Sequence, residues 1–337
     1  MKEMSYDNPT RRELHMISFI TRTDVHLNDR PPESRCDDYR ETMLGKLRQV
    51  GEIARERKVN AVLDNGDFFH NKAASRNSHL LVRKVADLHR SYPCPVYENP
   101  GNHDFPYANV EYIEKQPLGV LFATGIFERM GDIRFEDDDG LVVRVVGLPY
   151  KMEFDVFDFE IERGDEDVLI CAAHTYASPT GTESFGREHF LSYQALAECT
   201  PDVFIFGHYH IDQGIQEVLG KPFINLGSLS RGSLTNDNLK RVPRIGYIRV
   251  EKGEDGVIIH TEAIEIEVQP ASEVFDLEKH DRLKQERKDI DQFIETLSRS
   301  ASVNEEDNIQ AAIEGLDEFD HEVKSRALHY LEKAASG

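Results

Sequence analysis

The sequence predicts an α/β protein with two sheets, and two observations carry that prediction. Over roughly the first hundred residues, short β-branched apolar runs alternate with segments of helical spacing, the βαβ pattern of a parallel sheet. Beyond about residue 140, strand-like runs follow one another with few helices between them. That change of character suggests a second sheet packed on the first, with helices outside.

The elements follow in order. His15 to Thr23 (HMISFITRT) reads as a strand that presents Asp24 at its C-terminal end. Arg40 to Lys58 has helical spacing, with Met43, Leu44, Leu47, Val50 and Ile53 on one face. Val59 to Leu63 is a strand running into Asp64-Asn65-Gly66-Asp67, and Ser78 to Leu88 is a second helix. Pro95 to Glu98 is a strand that leads into Asn99-Pro100-Gly101-Asn102-His103-Asp104. Further strands are expected over Gly140 to Leu148, Asp167 to Ala173, Asp202 to Phe206 and Lys221 to Leu226. Ile245 to Val250 and Gly256 to Glu267 read as a hairpin about the intervening glycines. From about Ser272 the strand signals stop. Asp276 to Leu297 and Asn308 to Ala335 read as two charged amphipathic helices, packed on the core or docking another protein. The expected organisation is a domain over 1–270 and a helical extension over 271–337.

Composition narrows the class. Apolar residues make up 39% of the 337 and fall in short runs, enough for a large core. No run approaches the roughly 20 apolar residues of a membrane span. Met1 to Glu13 is polar and lacks the apolar stretch of a secretory signal, so a soluble, cytoplasmic protein is expected. Cys36, Cys94, Cys171 and Cys199 are scattered without a C-x-x-C pair, which argues against a thiolate metal site or a disulfide framework. The net charge of −22 opposes binding of a polyanion, unless basic residues gather near the site or a partner supplies the grip.

Five short motifs carry the chemistry: Asp24-Val25-His26, Gly66-Asp67-Phe68-Phe69-His70, Gly101-Asn102-His103-Asp104, His174, and Gly207-His208-Tyr209-His210. Each ends an apolar run, so each sits at a strand terminus. Together Asp24, His26, Asp67, Asn102, His174, His208 and His210 supply carboxylate, imidazole and amide ligands for two metal ions. Asp24 and His26 are two apart and would point the same way from an extended segment, as would His208 and His210. Asp67 is the natural bridging carboxylate. Oxygen and nitrogen ligands without sulfur suit Mn²⁺, Fe²⁺ or Zn²⁺ better than Ca²⁺. Two such ions activate water and clamp a phosphoester in line, so metal-assisted hydrolysis needs no serine or cysteine nucleophile. His103 fits a group that stabilises charge or protonates the leaving oxygen, with Asp104 orienting it, and His70 is placed to face the substrate. The remaining histidines, His89 among them, are taken as incidental.

These motifs resemble the calcineurin-like metallophosphoesterase superfamily over about residues 15 to 250. Within it, Gly66-Asp67-Phe68-Phe69-His70 and Asn225-Leu226-Gly227-Ser228-Leu229 are similar to segments of the Mre11/SbcD nucleases and their phage-type relatives. Arg22 and Thr23 stand where a serine or small residue is more usual. The resemblance implies a four-layer α/β/β/α sandwich. It implies that Asp24, His26, Asp67 and His210 hold one metal and Asp67, Asn102, His174 and His208 the other. It further implies Mn²⁺ as the usual ion, with Mg²⁺ an alternative, His103 and His70 as active-site histidines, DNA as substrate, and a Rad50/SbcC-like ATPase docked on the C-terminal extension. A homodimer is compatible with it. The acidic charge favours a second reading, a phosphodiesterase or phosphatase for a small or protein substrate.

Overall fold

The chain alternates strand and helix at first and then runs mostly through strands. The computed structural model describes residues 16–278 except 33, 183, 186, 187 and 255, together with 281, 282, 285, 288 and 290. The two C-terminal helices expected from the sequence lie almost wholly outside the described residues. The chain divides into compact units Met1–Val274 and Phe275–Gly337.

Unit one holds two six-stranded mixed sheets. In the first, β1 (Met16–Arg22), β2 (Ala61–Asp64), β3 (Val96–Glu98) and β4 (Glu128–Arg129) run parallel. In the second, β6 (Val142–Leu148), β7 (Val168–His174), β12 (Val203–Gly207) and β14 (Lys221–Asn225) run parallel. Antiparallel β5 (Asp132–Glu136) and β13 (Gly214–Val218) form its edges. The hairpin of β15 (Arg244–Gly253) and β16 (Gly256–Glu265) follows the second sheet in sequence yet returns to the first, where β15 pairs antiparallel with β1. Its apolar face explains the return: Ile248 and Val250 sit in the same buried cluster as Ile17 and Phe19. Strands β4, β5 and β13 are short or half-exposed and leave little apolar signal, which is why the sequence does not announce them.

Alternate residues of the central strands enter different cores. Phe19, Ala61, Leu63, Ile170, Ala172 and Ile205 fill the space between the sheets. Ile20 and Val62 face the other way, onto Met43, Leu47 and Val50 of α1 (Tyr39–Arg57) and Leu81 and Val85 of α2 (His79–His89). Cys171, Ala173, Phe204 and Phe206 face Phe159, Tyr193 and Leu196 on the far side. With both faces buried, these strands read as continuous apolar runs. Local chemistry sets the helix starts: the side chains of Asp38 and Ser78 accept from the amides of Glu41 and Leu81. Among the described residues no helix is long and apolar enough to cross a membrane.

Arg22 ends β1 pointing away from the solvent, 2% exposed. Its Nε donates to Asp64 Oδ2 at 2.5 Å, and its other nitrogens lie 3.0 Å from Tyr92 Oη and His89 Nε2. The arginine neutralises a buried carboxylate, and His89 is a structural partner of its guanidinium. Removing one partner of such a pair leaves an uncompensated buried charge, at about 3–5 kcal/mol. Arg22→Met is expected to lower unfolding free energy by about that amount; a urea titration showing less than about 1 kcal/mol of loss would contradict the assignment.

Candidate metal centre

Parallel strands present their C-terminal ends along one edge, and ligands gather there. Asp24 and His26 follow β1, Asp67 follows β2, Asn102 follows β3, His174 ends β7, and His208 and His210 follow β12. Stacking the sheets brings these five strand ends together. Backbone bonds splice the loops: the amides of Asp24 and His26 donate to the carbonyls of Gly66 and Asp67, each at 2.9 Å. Asp24 and His26 do not project from an extended segment, as their spacing suggested. Both occupy the left-handed region, with φ of 52° and 47°, and so do Asp67 at 57° and His208 at 85°. Such conformations cost a non-glycine residue about 1–3 kcal/mol each and persist only where the surroundings hold them. Gly101 is required for close approach. A Cβ there would collide with Asp67 Oδ1 and stand 2.7 Å from His174 Cε1.

Among the described residues three groups could hold a metal ion; one is His26, His70 and His103, and the other two overlap at Asp67. Asp24, His26, Asp67 and His210 form one of these two, and Asp67, His174 and His208 the other, with ligand atoms in each group within 4.8 Å of one another. Asp67 belongs to both through a single oxygen. Its Oδ2 lies 3.7 Å from His26 Nε2 and 3.5 Å from His174 Nε2, while Oδ1 accepts the His103 amide at 2.7 Å. In the first cluster His26 Nε2 and His210 Nε2 are 2.9 Å apart, and Asp24 Oδ1 is 3.3 Å from the latter. Two ligands bound at about 2.1 Å to one ion stand roughly 3.0–3.4 Å apart, from octahedral to tetrahedral geometry. The spacings to His210 Nε2, 2.9 and 3.3 Å, lie at or close to that range, and those to Asp67 Oδ2, 3.5 and 3.7 Å, are a few tenths of an ångström longer. Asp24 Oδ1, Asn102 Oδ1, His174 Nε2 and His208 Nε2 are buried with no hydrogen-bond partner. Four buried polar atoms without partners, on residues that follow or end strands at the same edge, are the kind of atoms a pair of cations would take as ligands.

The surrounding bonds fix tautomers and loops. His174 Nδ1 lies 2.7 Å from the Asn65 carbonyl, which can only accept, so Nδ1 carries the proton and Nε2 is directed at Asp67. His103 Nδ1 donates likewise to the His70 carbonyl at 2.7 Å. Asp104 therefore does not orient that ring. Its Oδ2 instead accepts the amides of Asp67 and Gly101, both at 2.8 Å, and pins the two loops together. Burial and the Asp67 charge push the Asp104 acid up to about 8. His70 and His103 stack at 5.4 Å beside His26, on the exposed side.

Sequence reasoning missed Asn65 and Asn99. Both are fully buried. Asn65 Nδ2 donates to the Ala173 and Ile205 carbonyls across the sheets, and Asn99 Nδ2 donates to Asn65 Oδ1 at 2.8 Å. An asparagine at the end of an apolar strand, just before each glycine motif, is the signal that marks them. Thr23 is a third: its hydroxyl lies 2.7 Å from Asp24 Oδ2.

Residues 19–212 match the model of the calcineurin-like phosphoesterases. The chain belongs to that family. A comparison with curated proteins finds no match. Among solved structures, a candidate 5'-nucleotidase from Staphylococcus aureus is similar at 18% identity and a TM-score of 0.52, covering 81% of this chain. The similarity spans 58% of that nucleotidase's length. A dimetal phosphatase from Danio rerio is similar at 13% identity and a TM-score of 0.47, over 74% of this chain and 99% of its own. At 18% identity the likeness to the Staphylococcus aureus protein speaks to the fold alone. As a calcineurin-like phosphoesterase, the protein is a metal-dependent phosphoester hydrolase.

Charge balance gives the family's metal site a testable pH dependence. Burial opposes charge on His174, but Asp67 and Asp24 outweigh it and raise the imidazolium to about 9. Ligation needs the neutral ring. Metal binding at pH 7 therefore displaces a proton, and apparent affinity should climb with pH until about 9. Calorimetry of Mn²⁺ binding in two buffers of different ionisation enthalpy should show proton release; identical heats in both would contradict it.

Proposed function

We propose that this metallophosphoesterase hydrolyses phosphodiesters in DNA, with Mn²⁺ as the ion and a Rad50/SbcC-like ATPase as partner. The observation that supports the diester is the make-up of the site's charges. Among the described residues, the charged groups acting most strongly on Asp24, Asp67 and the histidines at 26, 70, 174, 208 and 210 are one another and His103, while Arg241, which feels the Asp24 charge, is turned onto the Ser228 and Ser230 carbonyls. A phosphomonoester dianion gains from lysine or arginine side chains, whereas a singly charged diester does not require them. The exposed imidazole of His70 and the half-buried one of His103 offer polar contacts for a substrate that extends beyond the reacting phosphate.

Bound divalent ions would supply an acidified water and offset charge on the phosphate. Asp24, His26, Asp67 and His210 would hold one ion, and Asp67, Asn102, His174 and His208 the other. His103 meets the substrate. With Nδ1 donating to the His70 carbonyl, Nε2 is the nitrogen left for the substrate, and it donates to the leaving oxygen or the developing charge as the imidazolium. His70 flanks it. DNA is favoured over a small diester by the motif resemblance and the C-terminal extension. The charge of −22 favours the second reading, a phosphodiesterase or phosphatase for a small or protein substrate.

The test is a substrate panel with Mn²⁺: single-stranded DNA, duplex DNA, an aryl phosphodiester and a nucleoside 5'-monophosphate. The diester and DNA should be cut, DNA slowly by the isolated chain because so acidic a surface neutralises few phosphates. His103→Ala should keep its Mn²⁺ and lose about 100-fold in rate. Rapid cleavage of the monophosphate with every DNA form untouched, at high enzyme and low salt, would install the second reading.

A further inference from the structure

Residues 228–231 form a strap of backbone whose carbonyls are each capped by a buried arginine or lysine side chain. Arg241 Nη1 donates to the Ser228 carbonyl at 2.6 Å and Nη2 to Ser230 at 2.8 Å. Lys46 Nζ donates to the Leu229 carbonyl at 2.7 Å, and Arg35 Nη1 to that of Arg231 at 2.9 Å. These three side chains are 9%, 2% and 6% exposed, and burial beside the arginines pushes the Lys46 ammonium well below its usual range. Desolvating a charge costs several kcal/mol per ion, a high cost for a segment that is neither helix nor strand.

The other edge of the strap shows what the cost offsets. The Ser228 amide donates to the His210 carbonyl at 3.1 Å, and the Ser228 hydroxyl to the Asp24 carbonyl at 2.7 Å. The Leu229 amide donates to the Thr23 carbonyl at 3.0 Å and that of Ser230 to Asp24 at 3.3 Å. Asp24 is one of the residues held in the left-handed region. Its carbonyl receives two strap bonds, so the strap sets the peptide plane on which the carboxylate is mounted. The bonds reach the backbone of Thr23, Asp24 and His210, and a link to the other cluster runs only onward from there, through Asp24 Oδ2, which accepts the His208 amide at 3.1 Å. In the other cluster His174 is held by Asn65, and no strap bond reaches the loop of Asn102.

We infer that Arg241 and Lys46 are positioning residues chiefly for one metal, the ion held by Asp24, His26 and His210. They act through the strap and touch neither metal nor substrate. The inference rests on the metal-centre assignment and not on the choice of substrate. Residues that orient metal ligands without touching the ion are typically worth about 10–100-fold in affinity.

The test uses stepwise Mn²⁺ titration of the full chain, followed by electron paramagnetic resonance of the free ion. Wild type should bind two ions; failure to do so would remove the assignment beneath the inference as well. Arg241→Gln should weaken one step by about 10–100-fold and leave the other within about twofold. In an Asn102→Ala background, which leaves the strapped site, the same change should give the full loss. In a His26→Ala background it should give little of it. Ser228→Ala, which removes one bond to Asp24 and no buried charge, should reproduce the direction of the effect if Arg241→Gln fails to fold. Equal weakening of both steps, or no change in either, would overturn the proposal.

Discussion

One oxygen sets the terms for the rest of the structure. Asp67 Oδ2 lies within 3.7 Å of His26 Nε2 and within 3.5 Å of His174 Nε2, so both ligand clusters are built around it. For that atom to be shared, its carboxylate must be locked in rotation, and the His103 amide does so from the other side. The Asp67 backbone must then be held at a φ of 57°, which Asp104 does by accepting its amide. A glycine is needed at 101 because any side chain there would occupy the space of the carboxylate. The strand–loop motifs are thus consequences of one placement.

The fold meets this requirement by making the sheets' shared edge stiff. Asn65 and Asn99 tie the first sheet to the second with buried amide bonds, which cannot slip without leaving polar groups unpaired. Below them Arg22 and Asp64 form a buried ion pair, and beside them the 228–231 strap rests on Arg241, Lys46 and Arg35. Each device is weak evidence for stability, because burying charge is costly. Together they hold ligand residues in conformations that an unsupported chain would leave. Rigidity at the site accounts for polar groups in places where a core would otherwise be apolar.

Much of this was legible in the sequence. The parallel strands of both sheets, the two long helices and the ligand-bearing motifs follow from apolar runs that end in Asp, Asn and His. Those runs are continuous because both strand faces are buried. What was not legible has physical reasons. The edge strands β4, β5 and β13 carry few buried side chains and so little pattern. The return of the β15–β16 hairpin to β1 is a long-range pairing that no local signal encodes. The left-handed backbone of Asp24 and His26 is imposed by bonds to residues 66 and 67, so their spacing alone suggested a plain extended segment. Asp104 looked like a partner for its neighbour His103, yet its carboxylate is drawn to backbone amides that only the folded loop assembles.

The shared role of Asp67 is open to direct observation. Crystals of the full chain grown with Mn²⁺ should give two anomalous peaks roughly 3.5–4 Å apart at the manganese edge, with Asp67 Oδ2 in contact with both. A single peak, or two peaks of which Asp67 touches only one, would contradict the account.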